Sequence, residues 1–404
     1  MSALTVAVVG CGTGGPAAAL FLSRAGHRVR LFERVAEPGS VGAGLLLQPT
    51  GLGVLQELGL AQGALSRGAR VDRLDGRTLG GRPVLELAYA SLDPRLHGVG
   101  IHRGVLFDLL VGAVRESAVS LETGTGIAGV DGDHLVTEDG TRRGPYDLIV
   151  VADGARSSLR PTLGLRHRAT PYPWGALWAV LQDPELLFED VLFQVYGDTR
   201  RMVGFLPTGQ GPRGGPPLVS LFWSLPVGSE DGLLADGVDA FKSAVLAMVP
   251  QAEPLLAQVQ EPKDLVMARY HDVRMSRFHT GRTVVIGDAA HATSPQLGQG
   301  ANLALVDAWV LARAVASEPD VASALGRYER LRRPHLRYYQ WASRWLTPVF
   351  QSSLFPVAWP RDLLMAPVCR APFFRDLMLT TLAGVRTGPF STLAESPARP
   401  LLSD

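Results

Sequence analysis

The stretch VAVVGCGTGGPAAALFLSRAGHRVRLFER, from Val6 to Arg34, constrains this chain more than any other. Val6 to Gly10 predict a buried strand, Gly10, Gly12 and Gly15 supply G-x-G-x-x-G, and the apolar run Ala17 to Leu22 predicts a helix. The glycines have separate tasks: a tight turn, close backbone approach to a pyrophosphate, and close packing of helix on strand, with phosphates at the positive helix end. Pro16 falls in the first helical turn, where a missing N–H costs little. Gly26 ends the helix, and Val29 to Phe32 form a second strand that delivers Glu33 about 20 residues beyond the turn. A carboxylate there suits the two ribose hydroxyls of an adenosine and repels a 2′-phosphate. The complete unit predicts a dinucleotide site without distinguishing NAD from FAD.

A chain of 404 residues has room for two or three domains and a large core. The net charge of +1 offers no electrostatic case for nucleic acid. Cys11 and Cys369 are the two cysteines, which excludes a disulfide framework and a thiolate metal cluster and suits the reducing cytoplasm. No metal site is expected. The first strand begins within a few residues of Met1, without the basic region or cleavage site of a signal peptide. No run approaches the roughly 20 apolar residues of a membrane span.

Two further apolar strands end in an acid. Asp147 to Ala152 runs into Asp153-Gly154, and Thr283 to Ile286 runs into Gly287-Asp288. Short continuous apolar runs fit strands buried on both faces of a parallel sheet, and such sheets bind ligands beyond their carboxyl ends. Residues 71–97 and 169–269 instead carry short β-type runs such as WGALWAVLQ, VLFQVYG, RMVGFLP and LVSLFWSLP, separated by turns rich in Gly and Pro, notably Thr208 to Pro217. The expected fold is α/β: a doubly wound parallel sheet for the dinucleotide, from 1–70, 98–168 and 270–340, with an inserted, mostly antiparallel substrate sheet from 71–97 and 169–269. A helical segment, 341–404, follows. Its mixture of aromatics and spaced arginines suits either helices covering the nucleotide domain or contact with a membrane surface.

These residues resemble a family, the single-component FAD-dependent aromatic hydroxylases with the para-hydroxybenzoate hydroxylase fold. The resemblance covers nearly all of the first 340 residues. It rests on the glycine fingerprint with Glu33, on ADGARSSLR at Ala152 to Arg160, and on GDAAHATSPQLGQGANLALVDA at Gly287 to Ala308, with IHRGVLFDLL at Ile101 to Leu110 also matching. It implies an FAD site made by Gly10, Gly12, Gly15, Glu33, Arg34, Gly44, Arg103, Asp153, Asp288, Pro295, Gly298, Gly300, Ala301 and Asn302. Asp288 would accept from a ribitol or ribose hydroxyl. The loop Pro295 to Asn302 opens a long helix, whose N–H groups would favour negative charge at flavin N1. Gly39, Gly42 and Gly44 either let the chain pass close to the isoalloxazine or form a plain loop. Arg160 belongs to a motif linking FAD and NAD(P)H, or makes a surface ion pair. His291, with no partner at metal spacing, is expected to be a hydrogen-bonded structural residue. The family binds NADH or NADPH transiently, and no second glycine fingerprint appears here.

The activity so implied is hydroxylation or epoxidation of an apolar aromatic or polycyclic small molecule by NAD(P)H and O2, through a flavin C4a-hydroperoxide, by a monomer or homodimer. The protein's share is a dry pocket. Gln48, Trp178, Phe193, Tyr196 and Phe222 are the candidates to line it. Trp174 and Trp178 share one face of their strand, and Phe193 and Val195 share one face of theirs. No catalytic base is assigned, Gln48 and Tyr196 being the candidates. A flavin halogenase of this fold, which needs a lysine in its first domain and WxWxIP, is not expected, since no lysine precedes Lys242 and that motif is missing. A flavin-dependent reductase of isoprenoid double bonds is the alternative, separable by oxygen dependence. A non-catalytic escort protein of related fold would not need the loop Gly298 to Asn302.

Overall fold

The computed structural model describes residues 1–39 and 42–398, apart from the Phe355 side chain. Ser40, Val41 and the last six residues of the C-terminal segment therefore lie outside the described residues. Strands Thr5–Val9, Arg28–Phe32, Ser120–Glu122, Leu148–Val151 and Thr283–Val285 run parallel in one sheet, and His279–Thr280 joins its edge antiparallel. Val6, Val8, Ile149, Val150 and Val284 are wholly buried, which is why these strands are continuously apolar rather than alternating. Thr5–Val9 lies between Arg28–Phe32 and Leu148–Val151, so the chain leaves it on one side and returns on the other. At such a switch point a crevice opens beyond the carboxyl ends. The register sets Val9 beside Val151 and Val151 beside Val285. Gly10, Asp153 and Asp288 consequently emerge at one level.

The second sheet has nine strands. Its order runs Val266–Met275, His167–Gln182, Gly214–Pro226, Met202–Gly211, Asp190–Tyr196, Ala69–Thr78, Gly98–His102 and Gly44–Leu47, with Pro83–Ala88 paired to Ala69–Thr78. All of its pairs are antiparallel except Asp190–Tyr196 with Ala69–Thr78. Two strands, Gly44–Leu47 and Gly98–His102, come from stretches that the sequence reading gave to the nucleotide part, and they carry this sheet up to the other. The expected turn at Thr208 to Pro217 is mostly strand. Only Pro212 and Arg213 turn, between the paired Gly211 and Gly214. The prolines are tolerated because His167–Gln182 pairs with this strand only from Leu218 onward, leaving its start as an edge.

Helix Val321–Phe350, which runs across the expected boundary at 340, packs on helix Gly300–Ser317. The next two helices, Ala358–Arg370 and Pro372–Leu382, do something else. Cys369, Leu379 and Leu382 pack with Val71, Leu74, Leu85 and Leu87 of the inserted sheet, whose apolar face needs a cover there. No helix among the described residues is long and apolar enough to cross a membrane.

Candidate functional site

The turn after Thr5–Val9 needs its glycines for two different reasons. At Gly10, with φ +104°, a Cβ would lie 2.4 Å from the Ala152 carbonyl oxygen, and at Gly15 it would lie 1.9 Å from the Gly10 carbonyl oxygen. Protein packing alone excludes side chains at both. Around a Cβ at Gly12 nothing lies within 4 Å, so the need for glycine there falls on whatever docks. Helix Gly14–Arg24 starts without a side-chain cap, leaving first-turn N–H groups and the positive end of its dipole available. Glu33 accepts from the Cys11 N–H and the Val35 N–H, each at 2.9 Å. It staples the glycine turn while both oxygens keep lone pairs for a diol. Arg34 is exposed beside it.

The loop around Asp288 has the same character. Asp288 is exposed, and among the described residues its carboxylate has no hydrogen-bond or ion-pair partner. After the turn Pro295–Leu297 and Gly298 at φ +59°, helix Gly300–Ser317 begins uncapped. The N–H groups of Gly300, Ala301 and Asn302 therefore have no acceptor within the helix. The Asn302 side chain is occupied elsewhere. Fully buried, it donates to the Leu46 carbonyl at 3.0 Å and the Gly298 carbonyl at 3.2 Å, and accepts from the Gln48 N–H at 2.9 Å. It clamps the loop to the edge strand of the large sheet. Gly44, expected at a cofactor ring, is crowded by protein: a Cβ would meet Thr208 Cγ2 at 2.0 Å, and its N–H donates to Ser220 Oγ at 2.8 Å. Arg103 stacks its side chain under Gly42, and its guanidinium has no acceptor among the described residues.

Asp153 accepts from Ser157 Oγ at 2.8 Å and the Leu159 N–H at 3.3 Å; its other oxygen is buried without a partner, and burial pushes its pKa up. Arg160 makes no surface ion pair. It is buried and donates to the carbonyls of Ala289 at 2.8 Å and Ala155 at 3.2 Å, bolting the Asp153 loop to the Asp288 loop. His291 is structural, as expected, with Nε2 2.5 Å from Asp307 Oδ2. Asp307 also accepts from Arg332 Nε at 2.6 Å and the Gly287 N–H at 2.7 Å. Arg332 continues to His335 Nδ1, and His335 Nε2 donates to the Gly384 carbonyl at 2.8 Å. Burial opposes ionisation of Asp307, but His291 and Arg332 outweigh it and hold its carboxyl well below the usual range.

Pairing across the large sheet decides which aromatics can meet. Trp178, Phe222, Gly204, Gln194 and Gly76 lie in one cross-strand row on one face. The adjacent row Ala179, Leu221, Phe205 and Phe193 faces the other way. That second face is a core: Phe188 stacks 4.2 Å from Phe205 and 5.5 Å from Phe193, and Phe241 of helix Asp239–Leu246 packs against Trp223. Phe193 is thus not brought to the site, a correction that follows from strand alternation. On the site face Trp178 lies 5.0 Å from Phe222, and Trp178 Nε1 donates to Tyr270 Oη at 3.1 Å. Tyr196 shares this face but is covered by Phe350 at 5.0 Å and Arg361 at 5.1 Å, and it donates to Gln194 Oε1 at 2.8 Å. Burial raises its pKa, so a base role is unsupported. Gln48 is buried, accepts from Tyr89 Oη, and leaves Nε2 without a partner. Tyr270 escaped the sequence reading because its strand, Val266–Met275, spans the expected domain boundary at 269; only the pairing with His167–Gln182 shows its face.

A family model described as FAD binding domain matches residues 3–339. A 2-heptyl-3-hydroxy-4(1H)-quinolone synthase of Mycobacteroides abscessus is 29% identical over 355 residues, covering 85% of this chain and 90% of its own. A 3-amino-4-hydroxybenzoate 2-monooxygenase of Streptomyces platensis is 31% identical over 361 residues, covering 84% and 86%. Among solved structures, Klebsiella pneumoniae HpxO complexed with FAD and uric acid superposes with a TM-score of 0.79 at 24% identity, covering 95% of this chain and 98% of that one. This last likeness shows the fold.

Proposed function

This chain belongs to the FAD binding domain family, and from that premise we propose how its residues serve an FAD-dependent monooxygenase that uses NAD(P)H and O2 on an apolar aromatic or polycyclic small molecule. The observation that carries the reading is the match of site to cofactor at both ends: open space at Gly12, two uncapped helix N-termini, and acceptor capacity left on Glu33 and Asp288. Glu33 would hold the adenosine ribose, Gly12 and the Gly14–Arg24 terminus the pyrophosphate, and Asp288 a ribitol hydroxyl. The N–H groups of Gly300, Ala301 and Asn302 would face the anionic edge of reduced flavin, and Arg103 would lie beside it. When bound, FAD supplies hydride acceptance from the nicotinamide and activation of oxygen for transfer to carbon.

The chain's own contribution is to orient the substrate and exclude water. The row Trp178, Phe222, Gly204, Gln194 and Gly76 carries no charge, which favours a neutral fused or substituted ring, such as the quinolone in one relative's name, over a benzoate. Gly204 lets Phe222 lie flat, since a Cβ there would be 2.0 Å from Phe222 Cζ. Tyr270 accepts from Trp178, and its own O–H has no acceptor among the described residues; burial keeps it protonated. It would donate to a substrate oxygen or nitrogen. Gly204→Val is expected to raise KM at least about tenfold, with flavin content unchanged, because the displaced ring fills the substrate's place. An unchanged KM would remove Phe222 from the site.

We place the enzyme in the reducing cytoplasm as a monomer or homodimer. Both cysteines are free and buried, and burial pushes Cys11 up to about 12 and Cys369 up to about 11. The deciding experiment is turnover under labelled oxygen gas with phenols, quinolones and polycyclic aromatics. One labelled atom per product is expected, with NAD(P)H oxidation slow alone and accelerated by the substrate. Product formation under argon would overturn the reading in favour of a reductase.

A further inference from the structure

Five of the six strongly exposed aromatic side chains among the described residues fall into two groups, the sixth, Trp359, being 77% exposed on helix Ala358–Arg370. Trp341, Trp345, Phe373, Phe374 and Phe390 are 51%, 66%, 50%, 44% and 85% exposed. Trp341 lies 6.0 Å from Trp345, while Phe373 lies 5.3 Å from Phe374 and 5.8 Å from Phe390. Beside Trp341 runs a groove of about 560 Å³, walled by Arg333, Arg337, Tyr338, Trp341 and Arg344 on one side and by Thr387, Gly388 and Pro389 on the other. Pro389 of that second wall precedes Phe390 in the chain, so the groove runs from Trp341 to the base of the Phe390 hairpin. A contiguous apolar patch with a polar rim marks an interaction site.

Phe390 is held out deliberately. Gly388 pairs with Ser391, so Pro389 and Phe390 form the tip of a hairpin. The buried Arg386 guanidinium donates to the Pro389 carbonyl at 3.1 Å, to Thr380 Oγ1 at 2.5 Å and to Asp376 Oδ2 at 2.5 Å. The tip is therefore anchored to helix Pro372–Leu382, and its ring has no path back into the core.

Charge selects the occupant. Three arginines line the groove and no carboxylate does. Arg333 pairs with Glu329, and Arg344 lies 3.6 Å from Asp272, but Arg337 has no acidic partner among the described residues. A second copy of this chain docked about a two-fold axis would bring like arginines towards one another, which disfavours that partner. An anionic lipid surface answers both features, with phosphates for the guanidinium groups and the headgroup boundary for Trp and Phe. We propose that this face seats the protein on anionic membrane surfaces, with Phe390 and Trp345 entering the headgroup boundary and Arg337 and Arg344 meeting the phosphates. The proposal stands on the surface alone and does not depend on the substrate.

The test is co-sedimentation of the flavin-loaded protein with vesicles of phosphatidylcholine, alone or mixed with phosphatidylglycerol, at low and high salt. Binding to the anionic vesicles is expected to exceed binding to the neutral ones at least about tenfold and to weaken with salt. The double variant Phe390→Ser, Trp345→Ser should lose at least about tenfold in partitioning, and Arg337→Glu with Arg344→Glu should lose the anionic preference. Both pairs are surface changes, so flavin content and circular dichroism should match the parent. A parent protein that stays in solution with every vesicle overturns the proposal, as do variants that bind like the parent. Sedimentation velocity covers the remaining partner: a dimer broken by Phe390→Ser, Trp345→Ser, without vesicle binding, would make this face an interface between copies.

Discussion

Gly12→Val is expected to yield a folded, colourless protein, whereas Gly15→Ala is expected to fold poorly or not at all. The two glycines belong to one fingerprint but answer to different neighbours. A Cβ at Gly12 meets no protein atom within 4 Å, so the added methyls of valine extend into the space the pyrophosphate needs rather than into packed protein. At Gly15 even one methyl would stand 1.9 Å from the Gly10 carbonyl oxygen, and backbone must move, at a cost of about 1–3 kcal/mol or more for overpacking. Flavin absorbance and thermal unfolding separate the cases. Purified Gly12→Val should carry under about a tenth of the parent's flavin and melt where the flavin-stripped parent melts, since it lacks only the stabilisation that ligand binding adds. A yellow, stoichiometric Gly12→Val protein would remove the pyrophosphate from this turn.

Asp307→Ala should be among the most damaging single changes in the chain. Asp307 and Arg332 are both fully buried, and the carboxylate is the counter-charge for Arg332. Truncating one partner of such a pair strands the other charge, at a cost of about 3–5 kcal/mol, read as a lower denaturation midpoint by chemical unfolding. The same network sets a pH dependence. Burial, with Arg332 beside it, holds the His335 pKa well below its ordinary value, so the folded protein keeps this imidazole neutral while the unfolded chain protonates it below about pH 6.5. Stability is therefore present above that pH and falls as pH drops. His27, His97, His102 and His279 are shifted downward too, mainly by burial, and add to the slope. Asp307 adds a further loss in stronger acid, as pH falls from about 4 towards its depressed pKa. His335→Gln should flatten the fall between pH 7 and 5; a variant with the parent's slope would show that His335 titrates normally.

What the sequence alone determined is what short-range geometry controls. Strand, glycine turn, helix and acid fall within 30 residues, and their spacing suffices to place Gly10, Gly12, Gly15 and Glu33 around one turn. The apolar runs before Asp153 and Asp288 were legible as buried parallel strands because burial on both faces leaves no alternation. His291, alone at its spacing, was legible as a structural residue. Alternation along Asp190–Tyr196 set Phe193 and Val195 on one face, although both Phe193 and Tyr196 stood as candidates for the pocket. Only the tertiary structure decided which of that strand's faces is packed as core, because that depends on helix Asp239–Leu246 covering one of them. It also decided that Tyr270 joins Trp178, that Asn302 spends its side chain as a clamp, and that Asp307 finds Arg332, His291 and Gly287 at once. Each of these is a hydrogen bond or ring contact between residues far apart in the chain. Local propensity carries no information about such partners, since they are selected by sheet register and by the need to pair polar groups once they are buried.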